Sequence, residues 1–297
     1  MFKRYFDVLV VDDEPDFLAL SNMVMKDFTV YGLPIKIHTA KSKEEAIDLL
    51  NGPLATGIGQ MPGMSEAFVA FIDVVMETDT AGLELCQYIR EQMKNQMTQL
   101  YVRTGQPGVA PERSVVDQYD INGYFTKVEA TEDKLYTLVK SGIRQAYFMS
   151  TAITLDNLLQ WMIAESGSRQ GMANVVNQAV ESIQFDAQGN TLEGIDIRVA
   201  AIVDDRVVAG AWGASDEEAL QVRDTYLALP GAPVGDEGDT YYREGNDLLI
   251  KIAAGPRTSE AYVLLRAMAP LPDAIALLFH GFARSVATLW RQAAVPA

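Results

Sequence analysis

The 297-residue chain holds one cysteine and two histidines, and what is scarce narrows its chemistry early. A lone Cys86 excludes a disulfide framework within the chain and reads as a packing residue of a helix. His38 and His280 have no partner at metal-ligand spacing, so both are expected to be structural. No apolar run approaches the roughly 18 residues that span a bilayer, and the start MFKRYFDV lacks signal-peptide organisation. A cytoplasmic chain with no membrane partner is the expectation. Positive charge is also short: 24 Lys and Arg stand against 40 Asp and Glu, a net charge of -16, and both halves are acidic. Neutralising nucleic-acid phosphates needs a basic surface, so nucleic acid is not an expected partner. Length and a hydrophobic content of 48% leave room for two cores.

What is present is concentrated in the first 127 residues. Four stretches each end an apolar run with a reactive polar side chain: Asp12 and Asp13 after VLVV, Asp73 after VAFI, Thr104 after LYVR, and Lys127 after GYFT. Val8–Val11, Val69–Ile72 and Leu100–Val102 are continuous and rich in β-branched residues, the pattern of strands buried on both faces of a parallel sheet. Helical spacing between them predicts βαβα order and a doubly wound sheet. In such sheets ligands bind beyond the carboxyl ends of the strands, and all four stretches deliver their polar residues to that edge.

The chemistry of that edge follows from residue types. Mg²⁺ prefers hard oxygen ligands and is commonly held by one or two carboxylates plus waters and phosphate oxygens. Asp12 and Asp13 are a pair suited to the metal. Asp73 stands alone at a central strand end and is the better nucleophile, since a carboxylate can form an aspartyl phosphate. The Thr104 hydroxyl can donate to a phosphoryl oxygen, and Lys127 can neutralise the charge of roughly -1.5 to -2 that a phosphate monoester adds. Taken singly, each residue has an ordinary reading: a solvated acidic turn, a helix N-cap, a Thr-Gly turn, a surface lysine. Order and common placement at strand ends favour the joint reading.

From about Tyr5 to Ser150 the chain resembles the receiver domain of bacterial two-component response regulators. That family's pattern is an acidic pair, a phosphoacceptor Asp, a Thr or Ser, and a Lys, matched here by Asp12 with Asp13, Asp73, Thr104 and Lys127. The resemblance implies a five-stranded, flavodoxin-like parallel sheet and a Mg²⁺ or Mn²⁺ cofactor. It further implies Tyr124 as the aromatic switch residue and the Val75 carbonyl as the remaining protein ligand of the metal. Its implied partner is a sensor histidine kinase or a phosphotransfer protein, and a homodimer is an expected assembly. The chain departs from the family at Val128 and Glu77, where prolines are common. Without proline a cis peptide costs roughly 2.5–4 kcal/mol, so none is expected at Val128. METDTAG (Met76–Gly82) is a slightly long loop that brings Glu77 and Asp79 near the acceptor. NGPLATGIGQMPGMSE (Asn51–Glu66) reads as an inserted loop in which Ile58, Met61 and Met64 are candidate partner contacts.

Helices are marked by Pro15 near a first turn, by a Ser42/Glu45 capping box, by Leu85, Ile89 and Met93 within Ala81–Met93, by Pro111, and by Thr131. From Thr131 two readings stand: a continuous helix over 131–165, or a break near Ser150–Thr154. The expected domains are 1–150, the receiver, and 151–297, an α+β domain.

In the second half, Ile195–Val203 and Arg206–Trp212 read as a hairpin turning at Asp204-Asp205. Ser215 and Glu218 suggest a second capping box. Leu248–Ala253 and Glu260–Met268 read as two further strands, and Pro272 opens a helix striped with Ile275, Phe279, Phe282, Val286 and Leu289. Tyr241, Tyr242 and Arg243 either line a small-molecule pocket or form an edge strand. This order resembles GAF and PAS sensory domains, most nearly GAF, on topology alone. DVVMETDTAGLEL, RTGQPGVAPER and YDINGYFTK are similar to receivers that precede a GAF-like domain and an HD-GYP cyclic-di-GMP phosphodiesterase. Two histidines do not supply that enzyme's metal ligands, and GDEGD (Gly235–Asp239) does not make a cyclase motif. The expected function is a phospho-switch that catalyses its own phosphoryl transfer and autodephosphorylation, with no separate output enzyme. The alternative is a sensor whose GAF-like domain binds an unidentified small molecule while the receiver gates it. A cryptic hydrolase ranks last.

Overall fold

Every residue of FDVLVV and of QLYVRT is buried, as strands covered on both faces must be. The computed structural model describes residues 5–54, 67–105, 112–184, 196–213, 215–230, 240–253 and 260–293. Two compact units emerge, one over Tyr5–Ser150 and one built from Thr151 onward.

The first unit runs β1 (Phe6–Val11), α1 (Pro15–Met25), β2 (Thr29–Val30), β3 (Leu33–Ala40), α2 (Lys43–Asn51), β4 (Ala67–Asp73), α3 (Ala81–Gln87), β5 (Gln99–Thr104), α4 (Glu112–Tyr119) and β6 (Gly123–Thr126). α5 then spans Glu132–Ala164 as a single helix. The sheet order is β2-β3-β1-β4-β5-β6. Its five longer strands pair in parallel, in the flavodoxin-like order 2-1-3-4-5. The expected five strands gain a sixth, because Tyr31 and Gly32 both take positive φ (52° and 79°) and fold β2 antiparallel onto β3, as a two-residue primed turn does. On one sheet face Leu9, Ile72, Leu100 and Val102 pack with Leu50, Leu85, Cys86 and Ile89. Elsewhere Phe71 stacks on Tyr101 and meets Phe125 edge-on.

α3 is shorter than the spacing Leu85, Ile89, Met93 suggests. It passes at Tyr88 into a π turn ending at Gln92, where Arg90 is drawn in to donate to the carbonyls of Asp120 and Asn95. Ser42 caps α2 by accepting from Glu45 N, while Glu45 Oε2 accepts from Lys41 N. Ile58, Met61 and Met64 lie outside the described residues, as do Pro111 and Gly235–Asp239.

The second unit runs α6 (Arg169–Gln184), β7 (Arg198–Val203), β8 (Arg206–Ala211), α7 (Asp216–Leu227), β9 (Thr240–Glu244), β10 (Asp247–Ile252), β11 (Ala261–Arg266) and α8 (Asp273–Gln292). All neighbours in its sheet, ordered β8-β7-β11-β10-β9, are antiparallel. Asp204 and Asp205 make the hairpin turn with φ of 51° and 54°. Gly210 (φ +76°) lies 2.0 Å, measured from an added Cβ, from the Val199 carbonyl oxygen, so β8 approaches β7 there as only glycine allows. Ser215 has extended N-cap backbone but makes no side-chain cap bond. Tyr241, Tyr242 and Arg243 belong to β9, the edge strand, with Arg243 paired to Asp273. Ala200, Ile202, Leu249 and Leu264 form a core with Ala219 of α7. Met162, Met172 and Val175 form another with Phe282, Val286 and Trp290.

Candidate functional site

β1, β4, β5 and β6 deliver their terminal residues to one edge of the parallel sheet. Asp12, fully buried just past β1, is fixed by its backbone: its N–H donates to the Ala40 carbonyl and its Oδ1 accepts from Glu14 N at 2.9 Å. Asp13 next to it is exposed. Asp73 closes β4 and is 3% exposed. Behind it α3 begins in direct contact, since a Cβ on Gly82 would fall 1.8 Å from the Asp73 carbonyl oxygen. Any other residue at position 82 displaces the strand end that carries Asp73.

Lys127 ties the edge together. Its Nζ lies 2.8 Å from Asp73 Oδ2 and 3.0 Å from Asp12 Oδ2, and donates to Glu14 Oε1 at 2.7 Å. The Phe17 ring centroid is 4.4 Å from the same nitrogen. Thr104 ends β5, fully buried, one residue beyond Arg103, which is the register partner of Asp73. Tyr124 is half-buried on β6 opposite Val102 and packs against the core. Val75 packs against the same core two residues past Asp73. Of the loop charges, Glu77 accepts from Lys43 N, and Asp79 is exposed. His38 pairs with Asp7 at 2.7 Å, at the amino end of β1.

Burial pushes the Asp73 carboxyl up to about 6, against the hydrogen bond from Lys127, while the nearby Asp12 charge pushes the same way as burial. For Lys127, burial favours the neutral amine, but hydrogen bonds to Asp73, Glu14 and Asp12 outweigh it and hold the ammonium above its ordinary range. Burial lowers Arg103, opposed by Asp12, Asp73 and Glu14.

Oxygens of Asp12, Asp13 and Asp73 all lie within 4.8 Å of one another. Asp73 Oδ1 is buried with no hydrogen-bond partner, an acceptor with unused capacity facing a set of hard oxygen donors. The residues present fit a hard divalent cation of the Mg²⁺ or Mn²⁺ kind.

Two participants were not singled out from sequence. Arg103 ends the apolar run LYVR, and a charged residue inside a strand covered on both faces must find a buried partner. Strand alternation places it on the face of Tyr101, away from Val102. Glu14 belongs to no motif, and its role shows only once Lys127 is brought across from position 127.

No family model matches the chain. Over 137 residues it is 38% identical to the 3'3'-cGAMP-specific phosphodiesterase 2 of Vibrio cholerae serotype O1, covering 46% of this chain and 24% of that protein. The chain thus spans about a quarter of the length of this curated relative. Among solved structures, the signal receiver domain of an HD domain-containing protein from Pseudomonas fluorescens Pf-5 is 17% identical with a TM-score of 0.38, covering 48% of this chain and 98% of that one. The Mn²⁺-bound response regulator Rcp1 is 16% identical with a TM-score of 0.34, covering 46% and 89%. The phosphorylated cyanobacterial phytochrome response regulator RcpA is 18% identical with a TM-score of 0.35, covering 46% and 90%. Among the described residues, no helix is long and apolar enough to cross a membrane.

Proposed function

We propose that the first unit is a receiver domain that takes a phosphoryl group from a sensor histidine kinase or a phosphotransfer protein onto Asp73. The observation that carries this reading is Lys127 Nζ bridging Asp73 and Asp12, beside a buried Asp73 Oδ1 with no hydrogen-bond partner. An Asp73 carboxylate oxygen attacks the donor's phosphorus, its new O–P bond replacing the bond to the leaving group, which departs with that bond's electron pair. Asp12, Asp13, Asp73 and the Val75 carbonyl would hold the divalent cation, which when bound neutralises charge on the phosphoryl oxygens. Lys127 already stands against the acceptor and offsets the added charge. Thr104 donates its hydroxyl to a phosphoryl oxygen, and Tyr124 follows it inward. The output is a changed protein contact or dimer, with a GAF-like second domain as its recipient. The relative's phosphodiesterase activity belongs to a protein four times longer than the match and is not assigned to this chain.

Incubation with Mg²⁺ and acetyl phosphate, followed by mass spectrometry, tests the reading. One phosphoryl group is expected on Asp73 and none on Asp73→Asn. An unmodified wild-type chain removes the phospho-switch.

A second reading, small-molecule sensing, is favoured by one observation in the second unit. A cavity of about 170 Å³ is walled by Met162, Met172, Val176, Ile252 and Trp290, with two cations, Arg169 and Arg291, and one carboxylate, Asp204, on its lining. An apolar cavity of about 150 Å³ is enough for a benzene ring. Arg169 donates to the Trp290 carbonyl and Arg291 to the Ala253 carbonyl. Benzoate therefore makes a suitable probe, with its ring in the cavity and its carboxylate at the guanidinium groups. Calorimetry is expected to detect benzoate and not benzylamine. Equal binding of both, or of neither, rejects the anionic-ligand reading.

A further inference from the structure

Arg103 is among the largest side chains with essentially no exposure, at 1%, and it is a cation. Its Nη1 donates to Ser21 Oγ of α1 at 3.1 Å, and its Nη2 stands 3.1 Å from Asp12 Oδ2. Neither Nε nor Nη2 makes a hydrogen bond, so Asp12 faces Arg103 as a buried ion pair at close range and not as a hydrogen-bonded one. The Phe17 ring, already beneath Lys127, lies 6.0 Å from the guanidinium carbon. A buried guanidinium is tolerated only against a specific partner. Here that partner is Asp12, with Asp73 and Glu14 also acting on it electrostatically.

The two buried carboxylates, Asp12 and Asp73, face two cations, Lys127 and Arg103. Asp12 Oδ2 is approached by both, and Asp12 Oδ1 is held by the Glu14 N–H. Asp12 therefore keeps its orientation without any metal, and the field drawing a divalent cation is weaker by one unit charge in contact with a ligand residue.

We infer that Arg103 is a resident counter-cation of the acceptor site, a positioning residue that holds Asp12 ready and sets how tightly the site binds a divalent cation. This rests on the reading of Asp12, Asp13 and Asp73 as the metal-binding acceptor site. Two effects of opposite sign follow from the Arg103 charge. Removing the Arg103 charge strengthens divalent binding and weakens the cation-free fold. A buried arginine with a merely structural role would weaken the fold without tightening the metal.

The test is calorimetric Mg²⁺ titration of the full chain, with chemical unfolding in EDTA and in Mg²⁺. Arg103→Met is expected to bind Mg²⁺ about tenfold more tightly or better, because a unit charge repelling a divalent ion at close range is worth at least that factor even in high dielectric. Its cation-free form should unfold at lower denaturant, and Mg²⁺ should restore much of the loss. Arg103→Lys keeps the charge and should hold the wild-type Mg²⁺ affinity. Ser21→Asp places a carboxylate against Nη1, cancels the charge without removing it, and should also tighten Mg²⁺ binding. Should Arg103→Met fail to fold, Ser21→Asp decides. Wild-type-like or weaker Mg²⁺ affinity in the folded charge-cancelled variants overturns the role of Arg103 and leaves the acceptor site standing. Absence of both Mg²⁺ binding and Asp73 phosphorylation in the wild type overturns the acceptor site itself.

Discussion

Asp73 is held in a state that costs the fold. Its carboxyl titrates near 6 instead of 3.8, with burial as the main cause. Between those pH values the folded chain keeps a proton that the unfolded chain has lost, so stability falls as pH rises through this window, and the full penalty applies above it. A carboxylate stabilised by its ion pairs would behave in the opposite way. Asp73→Asn, measured by denaturant unfolding in EDTA, should therefore stabilise the chain by about 1–3 kcal/mol at pH 7.5, with the gain vanishing toward pH 4. A variant less stable than wild type at pH 7.5 would mean that the Lys127 ion pair outweighs the cost of burying the charge. At this scale the sequence was informative wherever a polar residue ended an apolar run, as at Asp73 and Thr104. It was silent about Arg103, because alternation gives a face and not a partner, and Ser21 lies 82 positions away.

At the scale of elements, what was legible followed from local rules. Continuous apolar runs announced β1, β4 and β5, since burial on both faces leaves no alternation to confuse with a helix. Asp204-Asp205 announced the β7–β8 hairpin through residues that tolerate positive φ. The differences come from interactions that spacing cannot report. The last turn of the third helix widens because Arg90 reaches the carbonyls of Asp120 and Asn95, and the first of these belongs to the turn before β6. β2 depends on Tyr31 accepting φ of 52°, an uncommon state for a bulky residue. A further box went unread at Thr126 and Glu129, where the Thr126 N–H and hydroxyl both donate to Glu129 Oε2 at 2.7 Å. It fixes the backbone on either side of Lys127, so the lysine's reach to Asp73 is set by its own strand end as well as by its ion pairs.

For the whole molecule, every proposed acceptor residue lies within Tyr5–Ser150, while α5 continues from Glu132 to Ala164 across the division between units. A helix is a stiff element, and interrupting its backbone separates chemistry from transmission. Ile153, 40% exposed in α5, is a suitable point. Proline there removes one N–H, clashes with the carbonyl four residues back, and costs about 3 kcal/mol of helix stability. Ile153→Pro should leave Asp73 phosphorylation by acetyl phosphate at the wild-type extent, because no acceptor residue depends on that turn. In the wild type, phosphorylation should alter hydrogen exchange in α6 through β11, and in Ile153→Pro that response should be lost. If the second unit responds equally in both proteins, α5 is not the carrier.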